Sequence, residues 1–578
     1  MQKLQGISVS RGINIGPVYQ FRQVSLDFET IKTDDPQKEW KRYQDAILVT
    51  HNKLEHFHDK AVAEIGTDEA AIFHAHMMIL EDPDLTEGVQ SKILFDGLNA
   101  EAALTEVSEE YCRMLEEIDD EYIRARVLDI RDVRTSLLRT LLGIEDHAAE
   151  GLTQPSVIVS RDLTPSDCLS IDKRLILGFC TIAGGTTSHT AILARSLDIP
   201  AIVGAPEAVL SLEDGESVIL DGYTGDLLIQ PDEATLEEYQ RLRSARLKIL
   251  EQALSESGLP AVTEDGHRVE VFANVGSDSG DELVTAVQNG AEGVGLLRTE
   301  FIYLDCTSMP SEELQFEKYK AVVEAFGNRP VILRTLDIGG DKQLPYLELP
   351  YELNPFLGVR GLRLCLRNLP LFKTQLRAAL RAAAFGHLQL MFPMVTKASE
   401  IHAARKVIDE CRAELSAEGK SVPEKIDIGI MIEIPAAAIM ADHLAREVDF
   451  FSIGTNDLSQ YTLAVDRTNT NLADLANAYD PAVLTLISMV VNAAHKYGKS
   501  AGICGELAGD PLAIPILVGL GLDELSMNPP AVPTAKQIIR RLNFDDARQL
   551  AQEVLKMETP ANVRRLVGER LPYLLELG

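Results

Sequence analysis

No run of apolar residues in this sequence is long enough to cross a bilayer, and residues 1–21, MQKLQGISVSRGINIGPVYQF, lack an apolar signal core. Membrane insertion is not expected, and a cytoplasmic location is. Cysteine is sparse: seven residues, at 112, 168, 180, 306, 365, 411 and 504, odd in number and without CxxC spacing. This pattern fits reduced thiols better than a disulfide framework or a zinc site. Positive charge is also short, with 55 Lys and Arg against 88 Asp and Glu for a net charge of −33. Such a field repels nucleic acid and anionic membrane surfaces, so no nucleic-acid partner is expected. An anionic ligand would need a local cluster of Arg, backbone N–H groups or a metal.

What is present is enough apolar material for several cores, since hydrophobic residues make up 46% of 578. Residues 1–21 carry short strand-like runs punctuated by Gly6, Gly12 and Gly16. From about Lys38 the period becomes helical, in EWKRYQDAILVTHNKLEHF, DEAAIFHAHMMILED, EAALTEVSEEYCRMLEEI and RDVRTSLLRTLLGI, the lengths an antiparallel bundle uses. Strand signals return after Gly151 as SVIVS, RLILGF, AIVG and SVILDG, with a helical SHTAILARSL among them. The expectation is an α/β domain over 1–21 plus 148–231, its early strands pairing with the later ones across a helical insertion at 22–147. A charged, glycine-free helix follows, making 232–259 a linker. Beyond it, VEVFANV, GVGLLRTEF, PVILRTLDIGG, LQLMFPMV, DIGIMIEIP, FFSIGTNDL, SAGICGEL and ELSMN alternate with helical segments, which predicts a (β/α)8 TIM barrel over 260–578.

Barrel chemistry collects at the C-terminal ends of strands, and there charged residues interrupt these apolar runs. Arg298, Arg334 with Asp337, Glu433, Asn456 with Asp457, and Cys504 with Glu506 all stand at such ends. Arg360 and Arg467 lie in the following loops. Several guanidinium forks suit a small ligand carrying phosphate and carboxylate. Glu433 and Asp457 offer the hard oxygens that Mg²⁺ takes alongside water and substrate. Taken singly, each could instead be a buried ion pair closing the barrel, and Cys504 a small buried hydrophobe. A second constellation is GGTTSHT at 184–190, where one His stands just before a helix whose unpaired N–H groups favour an anion. Spacing alone leaves two readings open, a nucleophilic His189 or a histidine hydrogen-bonded in a glycine-rich turn.

Together these motifs resemble the Enzyme I family of the phosphoenolpyruvate-dependent sugar phosphotransferase system, over nearly the whole chain. GGTTSHTAILARSLDIPAIVG is similar to the family's phosphohistidine signature, and GIMIEIPAAAIMAD with DFFSIGTNDLSQYTLAVDR to its phosphoenolpyruvate-binding signature. RTEF from Arg298, RTLDIGGDK from Arg334, NPFLGVRGLR around Arg360 and GICGELAGD around Cys504 follow in the family's order. The resemblance implies a phosphotransferase that moves the phosphoryl group of phosphoenolpyruvate to His189 and on to the histidine-containing phosphocarrier protein HPr, releasing pyruvate. It implies that Cys504 protonates the enolate, that Arg298, Arg334, Asn456, Asp457 and Arg467 bind substrate and Arg360 assists at the phosphoryl group. It further implies Mg²⁺ on Glu433 and Asp457, the carrier docking on the bundle, and a homodimer through the barrel.

The chain departs from many relatives at Thr186, at Cys306, and at Ala476, Asn477 and Ala478, which stand where a basic residue, an Arg, and Tyr, Gln and Pro are common. These changes bear on phosphohistidine handling and on a loop near the pocket. The dikinases and synthases that share such domains need a nucleotide-binding domain, for which no segment remains. The alternative from another class is a non-catalytic regulatory protein that senses phosphoenolpyruvate.

Overall fold

A computed structural model describes the chain except for residues 23–25, 65–66, 117–120, 145–150, 186–187, 198, 277–279, 305, 341–343, 345, 348–351, 467–468, 470–471, 473–474 and 578. Two compact units result, Met1–Ser244 and Ala245–Gly578.

The first unit opens with β1 (Gln2–Gln5), β2 (Ile7–Ser10) and β3 (Ile13–Gln20). Five helices follow: α1 (Pro36–Glu64), α2 (Thr67–Leu80), α3 (Pro83–Leu94), α4 (Ala100–Glu116) and α5 (Glu121–Leu142). Four coincide with the expected stretches. The additional helix, α3, starts where Asp82 accepts the amides of Asp84 and Leu85 with Pro83 behind it, and it buries Leu85, Val89 and Ile93 one turn apart. Tyr43, Leu54, Phe73, Leu80, Val89, Leu104 and Leu137 meet in the bundle core. Each such fully buried side chain contributes about 1.5–3 kcal/mol.

The chain then forms β4 (Ser156–Ser160), α6 (Pro165–Ser170), β5 (Ile176–Thr181), α7 (His189–Ser196), β6 (Ala201–Val203), β7 (Ser217–Asp221) and β8 (Asp226–Ile229). The eight strands make one sheet in the order β1-β8-β7-β3-β4-β5-β6-β2. Pairing across the helical insertion is direct, with Val18 opposite Val157 and Gln20 opposite Val159 in parallel register. Separate apolar clusters pack around this sheet, one including Ile158, Phe179 and Ala194, another Val157, Val159 and Leu220, and a smaller one Ile13, Ile219 and Leu228. The long helix α8 (Glu233–Ser255) leads out of the unit.

In the second unit β9 (Glu270–Gly276), β10 (Val294–Arg298), β11 (Val331–Arg334), β12 (Leu388–Phe392), β13 (Ile428–Ile432), β14 (Phe450–Gly454), β15 (Ser500–Cys504) and β16 (Glu524–Met527) close into a parallel barrel. All eight coincide with the predicted runs. Alternation puts Leu296, Ile332, Met391, Met431, Phe450 and Cys504 in one buried cluster within it, while a larger layer joins strands to surrounding helices. No helix of the described residues is long and apolar enough to cross a membrane.

Candidate active site

The histidine motif and the barrel mouth belong to different units, and each is built locally. In the first unit, β5 ends at Thr181 and the chain turns at Gly184, whose φ of +103° suits glycine. A methyl group there would meet Ser188 Oγ at 2.9 Å. Ser188 caps α7 by accepting the amide of Ala191 at 3.4 Å, and His189 is the first residue of that helix. Thr190 donates to the carbonyl of Leu163 at 3.0 Å, tying the start of α7 to the loop before α6. The His189 backbone therefore stands at a helix N-terminus, as the motif predicted; its side chain, and Thr186 beside it, lie outside the described residues.

At the barrel mouth, the strand ends bring together a charged cluster with almost no solvent contact. Arg334, at the end of β11, donates to Glu300 at 2.6 Å and lies 3.3 Å from Asp337. Asp337 in turn receives two bonds from Arg360, of 3.3 and 2.9 Å. The other arm of Arg360 donates to Asp457 at 3.0 Å and to the Tyr461 oxygen at 3.4 Å. Tyr461 closes this chain by donating to the carbonyl of Phe356 at 2.5 Å. Glu433, after β13, accepts the Met394 amide through Oε1 at 2.5 Å. Its Oε2 is buried without a hydrogen-bond partner among the described residues.

Charge explains how this cluster titrates. Burial opposes the charge on Arg334 and Arg360, but the surrounding carboxylates outweigh it and hold both guanidinium groups firmly protonated. Burial would likewise raise Asp337, yet Arg360 and Arg334 hold it below the usual carboxylate range. Glu433 goes the other way: burial first, then Asp457 and Asp337, push it up to about 8. Glu300, Asp337, Glu433 and Asp457 are four buried carboxylates against the buried arginines 334 and 360. A divalent cation beside Glu433 and Asp457 would neutralise that excess and give the orphaned Oε2 a partner, so these residues fit Mg²⁺. Among the described residues, no group of three or more His, Cys, Asp or Glu side chains is arranged as a metal site. The remaining ligands must then come from water and substrate.

Of the other residues singled out in sequence, Arg298 is part-exposed, its guanidinium 3.7 Å from Glu282 and 4.8 Å over the Phe301 ring. Asn456 is exposed at the start of the helix Thr455–Leu463. Cys504 is buried at the end of β15, accepts the Ser452 hydroxyl at 3.3 Å, and is pushed up to about 12, chiefly by burial. Arg467 lies outside the described residues. Three contributors had no assigned role in the sequence reading. Glu300 is two residues past Arg298 in the RTEF motif, so strand-end position could have found it, while Asp337, three past Arg334, is marked by that position but carries no role from it. Tyr461 carries no such signal, because only the fold brings it to Arg360.

Comparisons of sequence with known proteins cover nearly the whole chain. Family models match in order: PEP-utilising enzyme, N-terminal, at 5–126; PEP-utilising enzyme, mobile domain, at 152–225; and PEP-utilising enzyme, PEP-binding domain, at 251–544. The phosphoenolpyruvate-protein phosphotransferase of Bacillus subtilis is 44% identical over 98% of this chain and 100% of its own. That of Staphylococcus carnosus is 44% identical over 98% of this chain and 99% of its own. An NMR solution structure of Enzyme I (nEIt) is 36% identical over 42% of this chain and 98% of its own, with a TM-score of 0.37.

Proposed function

This chain belongs to the phosphoenolpyruvate-protein phosphotransferase family, and from that premise we propose that it moves a phosphoryl group from phosphoenolpyruvate to His189 and then to the phosphocarrier protein HPr, releasing pyruvate. The observation that carries the reading at the barrel is the buried excess of carboxylate beside paired arginines. Such a site holds a trianionic substrate only together with a cation.

Arg334 and Arg360 are locked by Glu300, Asp337 and Asp457, so they present fixed donors at small cost in entropy when phosphate arrives. Arg298, Asn456 and Arg467 complete the substrate contacts in this reading. Glu433 and Asp457 would hold Mg²⁺, which supplies charge neutralisation at the transferring phosphoryl oxygens. His189 attacks phosphorus as the bond to the enol oxygen breaks, and the N-terminus of α7 stabilises the phosphohistidine. Cys504 gives its thiol proton to the enolate carbon. Its high affinity for the proton keeps it loaded until that carbanion forms. The bundle α1–α5 receives the carrier, the barrel forms the homodimer, and the protein works in the cytoplasm where its substrate is made.

Incubation with Mg²⁺ and phosphoenolpyruvate labelled in its phosphate tests this. Acid-labile protein phosphate with one pyruvate per label is expected, and none on His189→Ala. Binding of phosphoenolpyruvate without label or pyruvate would overturn the reading in favour of a sensor.

A further inference from the structure

Inside the barrel, the branched apolar filling usual to this architecture gives way beside Cys504. One row across three strands is unusual: Ser452 of β14 stands opposite Gly502 of β15, and Gly502 opposite Glu524 of β16. Cys504 is two residues further along β15, on the same face as Gly502. The Ser452 hydroxyl reaches it, donating to Sγ at 3.3 Å. On the other side, a methyl group built on Gly502 would lie 2.5 Å from Glu524 Oε2, and one built on Gly295 of β10 would lie 2.2 Å from Oε1. The two glycines thus create the space this carboxyl fills, over the strand that separates it from Ser452. Glu524 is buried, and its Oε1 has no hydrogen-bond partner among the described residues. An unsatisfied buried polar group destabilises the fold, a cost that an apolar residue of similar volume would avoid.

We propose that Glu524 restores the proton of Cys504, acting across Gly502 through the Ser452 hydroxyl; this rests on the reading of Cys504 as proton donor to the enolate. The Cys504 S–H bond breaks as a C–H bond forms on the enolate. Ser452 then gives its proton to the thiolate and takes one from a water that the Glu524 carboxyl protonates across Gly502, and the glutamate takes a proton from solvent before the next turnover.

Its surroundings keep Glu524 loaded at neutral pH. Burial, then the charges of Glu270 and Asp523, push it up to about 8. Glu270 belongs to β9 and Asp523 precedes β16; Arg268 lies 3.8 Å from Glu270, and the His495 ring nitrogen 2.9 Å from Asp523. β10 presents Gly295 and β14 presents Ser452, neither charged, and β15 presents the Cys504 thiol. The Cys504 thiol is raised chiefly by burial, and the charge of Glu524 adds to that rise.

The test uses full-length wild type, Glu524→Gln and Cys504→Ala with Mg²⁺, phosphoenolpyruvate and a histidine phosphocarrier. Rapid quench reads the first equivalent of pyruvate and steady state the later ones. Glu524→Gln should form the first equivalent at the wild-type rate and then turn over about a hundredfold more slowly. The steady rate of wild type should fall as pH rises through about 8, a fall the variant lacks. Equal steady rates and pH profiles overturn the proposal, as does equal slowing of first and later equivalents, which marks a structural role. Ser452→Ala gives a second reading of the same relay, with the same split expected and the same results against it. No first equivalent from wild type, or a normal one from Cys504→Ala, defeats the reading of Cys504 itself and the relay with it.

Discussion

Six charged side chains share the barrel mouth with little water to screen them, and at the scale of single residues Glu433 absorbs the imbalance. With its proton affinity raised to about 8, it is protonated at neutral pH when no cation is present. A metal needs the carboxylate, so Mg²⁺ binding should expel close to one proton at pH 7, and the apparent affinity should rise with pH until about 8. Calorimetry in two buffers of different ionisation enthalpy measures the proton; a buffer-independent heat would refute it. Glu433→Gln should bind Mg²⁺ weakly and release none. Sequence exposed the proposed ligands, because charge at the ends of apolar strands is conspicuous. It did not expose the excess of carboxylate over arginine, which depends on Glu300 and Asp337 folding inward beside Arg334. Nor could it expose the row through Ser452, Gly502 and Glu524, since register between strands is not written in any one of them.

Among the elements, α5 meets α2 and α6 through buried charge as well as apolar contact. Asp132 of α5 lies 3.7 Å from His76 of α2, with Asp167 of α6 nearby and Arg139 3.4 Å from Asp167. Burial pushes Asp132 up to about 6 from 3.8, despite the opposing effect of His76. A raised carboxyl contributes stability that is complete below its unfolded value and lost as pH rises through the folded one. Asp132→Asn should therefore stabilise the protein at pH 7.5 by about 2–3 kcal/mol, with the gain closing toward pH 4. Thermal melts at both pH values check it, and an equal shift at both would count against a titrating Asp132. The elements themselves were mostly legible, since eight buried runs bounded by turn residues gave the barrel. α3 was not, because PDLTEGVQSKIL offers one buried residue per turn and a glycine at its middle. β8 escaped for a similar reason, being only the four residues DLLI after a turn.

For the whole molecule, the residues proposed to react are divided between two units with separate cores, joined through α8. In the proposed reaction, covalent linkage would hold each His189 at an effective concentration for its own barrel well above micromolar. Residues 1–244 and 245–578 made separately should each fold, and the first should accept phosphoryl groups from phosphorylated carrier. Mixed at micromolar concentration, they should pass phosphate from phosphoenolpyruvate at least about a hundredfold more slowly than the intact chain. Recovery of the full rate would show that the tether is dispensable.

The edges of the first sheet also set a timetable. β1 pairs with β8, and β2 with β6, so both edge strands find partners roughly 200 residues later in the chain. A ribosome adding about 5–20 residues per second needs roughly ten to forty seconds to supply them. Meanwhile the bundle between can fold from local contacts alone. The nascent chain thus carries two unpaired strands past a finished helical body, and a chaperone that holds residues 2–10 during that interval would raise the yield of active protein.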